Sequence, residues 1–296
     1  MTIKIRCIFF LLTNCLSLSL LAQSGENAPA IYDQFFKNYF LLNPANPTTD
    51  EKLAVRLGNR TLTGLFQGVN RFYADLNYTL PNKEDQNKHA LGLQAMNNRD
   101  GDYFQRNRLY ARYSLQTRLS ENASMSAGAS VGFVSYVFGS SAASAGGSST
   151  APDANLGLWY LREKLKIGIS YQQILSPRLR PLNQLFVLSK YFNVNGIYTL
   201  EFSPEVSLST HAYWKWDPSA PFYGELAPIL TIQEWLEIGA NYRHQRGIAA
   251  LVGFPRIPLG SGHLYLMASY LISTRKLSSQ NDSVLEFSLG YILPTE

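Results

Sequence analysis

From residue 53 to the end, hydrophobic and polar positions alternate in segment after segment. Met125, Ala127, Ala129, Val131 and Phe133 stand against Ser124, Ser126, Gly128, Ser130 and Gly132. Leu165, Ile167, Ile169 and Tyr171 alternate with Lys166, Gly168, Ser170 and Gln172, and Leu285, Phe287, Leu289 and Tyr291 with Glu286, Ser288 and Gly290. A period of two belongs to a strand whose two faces meet different surroundings. The pattern predicts about 14 strands, near 53–60, 72–80, 89–97, 107–117, 123–137, 154–161, 165–172, 190–202, 206–216, 223–232, 236–243, 247–254, 263–271 and 284–293. The first, sixth and twelfth are short and the tenth contains Pro228, so about 12 to 16 is the allowed range. Most have about the 9–11 residues that cross a bilayer at a tilt, and bacterial single-chain barrels have even strand numbers.

The connectors carry the same message. Ser120-Glu121-Asn122, Arg162-Glu163-Lys164, Ser203-Pro204-Glu205 and Gln233-Glu234-Trp235 are short turns after every second strand. Longer stretches fall between them, at 61–71, 98–106, 138–153, 172–184 and 273–283, with 243–247 as the short exception. Short periplasmic turns alternating with longer outer loops predict an all-β fold: a transmembrane antiparallel β-barrel of the outer membrane with both termini periplasmic. Tyr160, Tyr171, Trp214, Trp216, Tyr242, Phe254, Tyr270 and Tyr291 lie towards strand ends, where aromatic girdles sit. The Ser/Ala/Gly-rich stretch 138–153 reads as flexible surface filler. A barrel this wide is not filled by its own side chains, so its lumen is either occupied or conducts water.

Ahead of the strands the pattern changes twice. Residues 1–22 read as a signal peptide: Lys4 and Arg6, an apolar run from Ile8 to Leu21, then Ala22 before the expected cut. Cys15 follows Asn14, a poor residue before a lipidated cysteine, so an ordinary leader is preferred over a lipoprotein. Both cysteines lie in this leader, so the mature chain has no disulfide, thiolate metal site or cysteine nucleophile. The leader also removes two of the 26 basic residues; the remaining 24 against 21 acidic ones make a net charge of +3, which gives no reason to propose nucleic acid. Charged residues are 16% of the chain, below the roughly 25% of soluble domains, and aromatics are 13%, as suits a lipid-facing wall. Past residue 22 no apolar run approaches the roughly 20 residues of a membrane helix.

Residues 23–52 do not alternate, which leaves 53–296 as the expected barrel. The aromatic run 31–42 has the look of a short helix, stopped by Asn43-Pro44-Ala45-Asn46-Pro47 because residues before proline avoid the helical region. It is either a plug or periplasmic cap in the barrel mouth, or a leader covering the first strand's edge. Its candidate partner-docking or plug residues are Tyr32, Phe35, Phe36, Tyr39, Phe40, Asn43 and Pro44.

Recognisable catalytic chemistry is sparse. His89, His211, His244 and His263 lack the spacing of a metal site, and no phosphate loop or nucleophile elbow occurs, so no cofactor is expected. His211 shares a polar strand face with Ser207, Ser209 and Tyr213; a lumen-facing polar residue is preferred over a catalytic base. Arg56, Asp75, Arg108, Arg112, Lys166, Lys215, Glu237 and Arg243 are assigned to the lumen. They would select ions in an open channel, or pair with one another and with the N-terminal segment in a plugged one, which is the preferred reading.

Residues 32–45, Tyr-Asp-Gln-Phe-Phe-Lys-Asn-Tyr-Phe-Leu-Leu-Asn-Pro-Ala, directly after a leader ending Ala-Gln, resemble the opening of the PorP/SprF family. That family belongs to the type IX secretion and gliding machinery of Bacteroidetes. Further similarity lies in Ala250-Leu251-Val252-Gly253-Phe254, in Ala268-Ser269-Tyr270 and in the closing Glu286-Phe287-Ser288-Leu289-Gly290-Tyr291. Two departures stand out: Asn46-Pro47 in place of an aromatic and Gly, and Asn59-Arg60-Thr61 where Asn-Gln-Trp often follows the first strand. The resemblance implies a non-enzymatic outer-membrane barrel, held in outer-membrane lipid, that works with periplasmic ring or motor proteins and, in the SprF-like branch, with a large secreted adhesin. A porin or hydrophobic-solute channel is the alternative function, and an outer-membrane enzyme ranks behind both.

Overall fold

The computed structural model describes residues 32–47, 51–63, 68–81, 87–141, 145–218, 220–273 and 283–295; the expected signal peptide lies outside them. Fourteen strands close into one antiparallel barrel. They are β1 (Glu51–Thr63), β2 (Val69–Thr79), β3 (Asn87–Asp100), β4 (Phe104–Ser120), β5 (Ala123–Phe138), β6 (Gly147–Arg162), β7 (Leu165–Gln172), β10 (Tyr191–Ser203), β11 (Val206–Trp216), β12 (Tyr223–Ile232), β13 (Leu236–Arg243), β14 (Gly247–Leu259), β15 (Gly262–Ser273) and β16 (Ser283–Pro294). A two-stranded hairpin, β8 (Arg178–Leu179) with β9 (Phe186–Val187), sits inside the loop joining β7 to β10. Each strand pairs with its sequence neighbour, and β1 closes on β16 from Glu51↔Pro294 to Thr63↔Ser283. Closure leaves no strand edge exposed to lipid, where unpaired backbone groups would each cost several kcal/mol, of the order of ~5.

The two faces sort as the alternation predicts. Leu165, Ile167, Ile169, Leu285, Phe287 and Leu289 point outward, while Ser170, Gln172, Glu286 and Ser288 are buried in the lumen. Large inward aromatics lie flat against the wall where the neighbouring strand offers a glycine. Tyr73 covers Gly58, Trp159 covers Gly168 and Tyr265 covers Gly290, and a Cβ on any of these glycines would collide with the ring. Pro228 is accommodated in β12 with its side chain outward; the pairing of β12 with β13 skips Ala227 and Pro228, where proline has no N–H to offer.

Several expected boundaries move. The loop expected at 98–106 is a turn of Gly101-Asp102-Tyr103, with Gly101 at φ +70°, and the loop expected at 138–153 shortens because β6 already begins at Gly147. The expected short first, sixth and twelfth strands run to 13, 16 and 13 residues. All of β3–β6 are 14 to 17 residues long, more than a bilayer crossing needs. Near the end away from the chain termini their outward residues turn polar: Asn97, Arg99, Gln105, Asn107, Ser135, Ser148 and Thr150. There the wall leaves the lipid: the outer face is polar, the inner face mixes polar residues with the cluster of Val134, Tyr136 and Ala151, and the alternation of an apolar outer with a polar inner face disappears.

Ile169 lies mid-strand on the lipid face, between Leu158 and Val194 on the neighbouring strands. Ile169→Arg is expected to destabilise the barrel by about 2–4 kcal/mol in urea titrations of folding into lipid vesicles. Ile169→Leu, which keeps the lipid-facing surface apolar, serves as the control; equal stability of wild type and Ile169→Arg would refute the assignment of faces.

Candidate functional site in the barrel lumen

Residues 32–47 lie across the lumen as two short 3-10 turns, Phe35–Lys37 and Tyr39–Leu41, followed by the Asn-Pro-Ala stretch. Asn38 separates the turns and its Oδ1 accepts from the Phe40 N–H. Short turns suit the place, because each lets successive side chains radiate to different sectors of the wall.

One end of the segment is held by charge. The Glu286 carboxylate on β16 accepts from the backbone N–H groups of Asp33 (2.7 Å) and Gln34 (2.8 Å). Gln34 Nε2 donates to Ser269 Oγ on β15 and to the Glu286 carbonyl, and Ser288 Oγ donates to Gln34 Oε1. On the far side of Asp33, Arg243 of β13 pairs with its carboxylate and with Glu225, while Asn241 Nδ2 donates to the Asp33 carbonyl (2.8 Å) and to Glu225 (2.6 Å). Arg60 of β1 stands 3.7 Å from both Asp33 and Glu286. Breaking such a buried set by removing one member leaves an uncompensated charge, at a cost of roughly 3–5 kcal/mol.

The middle is held by rings. Tyr32 meets Tyr73 edge-on, Phe35 meets Tyr213, and Tyr39 meets Trp159. Phe36 stacks on His211, whose Nδ1 pairs with the Tyr39 hydroxyl at 2.9 Å. Burial pushes the Tyr32 and Tyr39 phenols well above the usual tyrosine range, so both stay neutral. Phe40 lies 3.6 Å from the Arg112 guanidinium, which Asp75 neutralises. Lys37 pairs with Glu237 on β13.

The far end is held by amides. The Leu42 carbonyl accepts three donors, Ser170 Oγ (2.6 Å), Gln172 Nε2 (2.9 Å) and Asn193 Nδ2 (2.9 Å). Asn43 Nδ2 donates to the carbonyls of Leu158 and Ile169, while its Oδ1 accepts from the Ala45 N–H. Glycines make the room: a Cβ at Gly157 would lie 1.9 Å from Asn43 Oδ1, and one at Gly128 would lie 2.5 Å from the Pro44 carbonyl. The Asn-Pro-Ala stretch is thus a fitted piece, with an amide that straddles β6 and β7 and an alanine too confined to be larger.

All seven residues singled out from the sequence touch the lumenal wall in these ways, and the eight charges assigned to the lumen point into it. Sequence reasoning missed Asp33, Gln34, Leu42 and Ala45, along with the wall residues Arg60, Glu225 and Glu286 that receive them. The available signals were an acidic residue inside an aromatic run and a glutamate on a face otherwise of Ser and Gly. Arg60 was passed over because it lies at the edge of the expected first strand. His211 is occupied by Phe36 and Tyr39, and among the described residues no cluster of His, Cys, Asp or Glu is able to hold a metal ion.

Asn43→Ala removes three hydrogen bonds at once. Exchange of the amide hydrogens of residues 38–46 should speed up by roughly one to three powers of ten, about 1.4–4 kcal/mol, with the strand amides of β14–β16 unchanged. Unaltered exchange in the segment would show that Asn43 does not hold it.

Comparison with known proteins places this geometry. Solved structures similar in fold include two monoaromatic hydrocarbon channels. A TodX deletion mutant, a monoaromatic hydrocarbon channel, has a TM-score of 0.58 at 10% identity, covering 86% of this chain and 93% of its own. CymD, another monoaromatic hydrocarbon channel, has 0.56 at 12%, covering 92% and 95%. A FadL homologue of Pseudomonas aeruginosa has 0.53 at 12%, covering 86% and 93%. At such identities the likeness shows the outer-membrane barrel fold alone. No curated protein matches the chain. The family model for type IX secretion system membrane protein PorP/SprF matches residues 24–291, the lumenal segment and all fourteen barrel strands together, and the chain belongs to that family.

Proposed function

We propose that this outer-membrane barrel of the type IX secretion system is a closed, non-enzymatic docking component. The wall anchors it in lipid. The end that carries the chain termini faces the periplasm and meets ring or motor proteins, and the opposite loops meet a secreted surface adhesin. The orientation rests on loop length: at the termini end most connections are two or three residues, whereas the other end carries the 139–146 and 173–190 loops.

The observation that carries the reading is the occupied lumen. Residues 32–47 are bonded to β16, β13, β7, β6 and β10, so the space a solute would use is taken by the chain's own segment. The segment acts as a plug, and a porin or hydrophobic-solute channel is disfavoured for the same reason.

Tagged barrel drawn from outer membranes in mild detergent is expected to bring ring lipoproteins or a large adhesin with it, identified by mass spectrometry. A barrel that emerges alone would sink the docking reading. In planar bilayers the full chain should be silent, and deletion of residues 32–47 should open a steady conductance; a conducting full-length barrel would support the channel instead.

A further inference from the structure

Seven arginine side chains are buried among the described residues, and six of them meet a carboxylate. Arg56 meets Glu51 and Asp75, Arg60 meets Asp33 and Glu286, Arg71 and Arg106 share Asp100, Arg112 meets Asp75, and Arg243 meets Asp33 and Glu225. Arg108, on β4, is the exception. It is 2% exposed, and none of its Nε, Nη1 and Nη2 atoms has a hydrogen-bond partner among the described residues. Asp153, which attracts it electrostatically, forms no ion pair with it: its Oδ2 accepts from the Tyr110 hydroxyl at 2.7 Å and its buried Oδ1 has no hydrogen-bond partner among the described residues. Attraction at a distance leaves the N–H donors of a buried guanidinium unsatisfied, so they call for an acceptor within hydrogen-bond reach.

Arg108 lines a chamber of about 20 Å³ between the lumenal segment and the wall. Phe40, Leu41 and Pro44 bound it on the segment side, and Gln94, Ser130 and Gln172 are among its wall residues. Beside the Gln173 side-chain amide, which brings an acceptor to the lining, two donors are available to it. Gln94 Nε2 has no partner in the protein, and Ser130 Oγ accepts from Asn155 and so keeps its own proton to give. Gln172 Nε2 is already committed to Leu42 and Ser170. The chamber admits one particle of about the size of a water molecule, which is too little for phosphate, sulfate or a peptide carboxylate.

We propose that Arg108 and Gln94 form a binding site for a single small monovalent anion, chloride by size and charge, enclosed between the lumenal segment and the wall. The anion completes the charge pairing of the lumen and ties the β3–β4 wall to the segment's Phe40–Pro44 face. Its presence does not depend on what the barrel docks.

The test is anomalous diffraction from crystals of the full-length barrel grown with bromide in place of chloride. A bromide peak within hydrogen-bond reach of Arg108 and Gln94 Nε2 is expected, and Arg108→Gln should abolish it. In detergent, chloride should raise the wild-type Tm by about 3–6 °C over gluconate at equal ionic strength, and Arg108→Gln should lose that difference. If Arg108→Gln does not fold, Gln94→Leu carries the test: reduced bromide occupancy and a smaller chloride effect in an otherwise unchanged barrel. Ordered water or a protein carboxylate against Arg108 in bromide crystals overturns the site. So does bromide on the outer surface alone, or a chloride effect that survives in both variants.

Discussion

In lipid every backbone N–H and C=O must find its partner within the protein, and here that is achieved by joining β1 to β16. The rest follows from this closure. Fourteen strands enclose a lumen wider than side chains from the wall alone fill, since about eight strands is the number at which they suffice. The surplus volume is taken up in two ways. Tyr73, Trp159 and Tyr265 fold down over glycines on adjoining strands, and a stretch of chain ahead of β1 is drawn inside. The glycines of the polar face are therefore seats for rings and for the Asn43–Ala45 backbone, not spacers.

The lumenal segment is positioned by polar groups as much as by apolar contact. Asp33, Glu286, Glu225, Arg243 and Arg60 form a buried set in which each charge faces at least one of opposite sign. Such sets add little net stability over a well-packed apolar core, but they are unforgiving of displacement. Shifting the segment by one residue would strand Asp33 and deprive Glu286 of its two N–H donors. At the other end the Leu42 carbonyl, with three donors converging on it, imposes the same discipline with uncharged groups. Register is thus fixed at both ends, and the aromatic middle fills what lies between. A segment held in this way lies across the lumen that a small solute would otherwise use.

Near the end away from the termini the walls of β3–β6 continue past the lipid, and the β8–β9 hairpin folds against their inner side, where Leu179 and Leu188 are fully buried with Tyr136 and Val134. This is where the amino-acid pattern was least informative. Residues 98–106 and 147–153 are strands or tight turns that carry polar side chains on both faces, because neither face meets lipid there. Periodicity reports a difference between two surroundings, and it is silent where the surroundings are alike.

What the sequence determined by itself is what lipid dictates locally: alternating faces, the strand number, the antiparallel order, and a break ahead of the first strand. Those features depend only on neighbours along the chain or one strand away. The family kinship was legible too, in the aromatic run and Asn43-Pro44-Ala45. Only the tertiary structure decided where that run goes and what it meets. Asp33 finds Glu286 across 253 positions of sequence, and Asn43 finds Leu158 and Ile169 across more than a hundred. The lumen is a surface that does not exist until the barrel has closed, so no local pattern along the chain encodes which groups will face one another inside it.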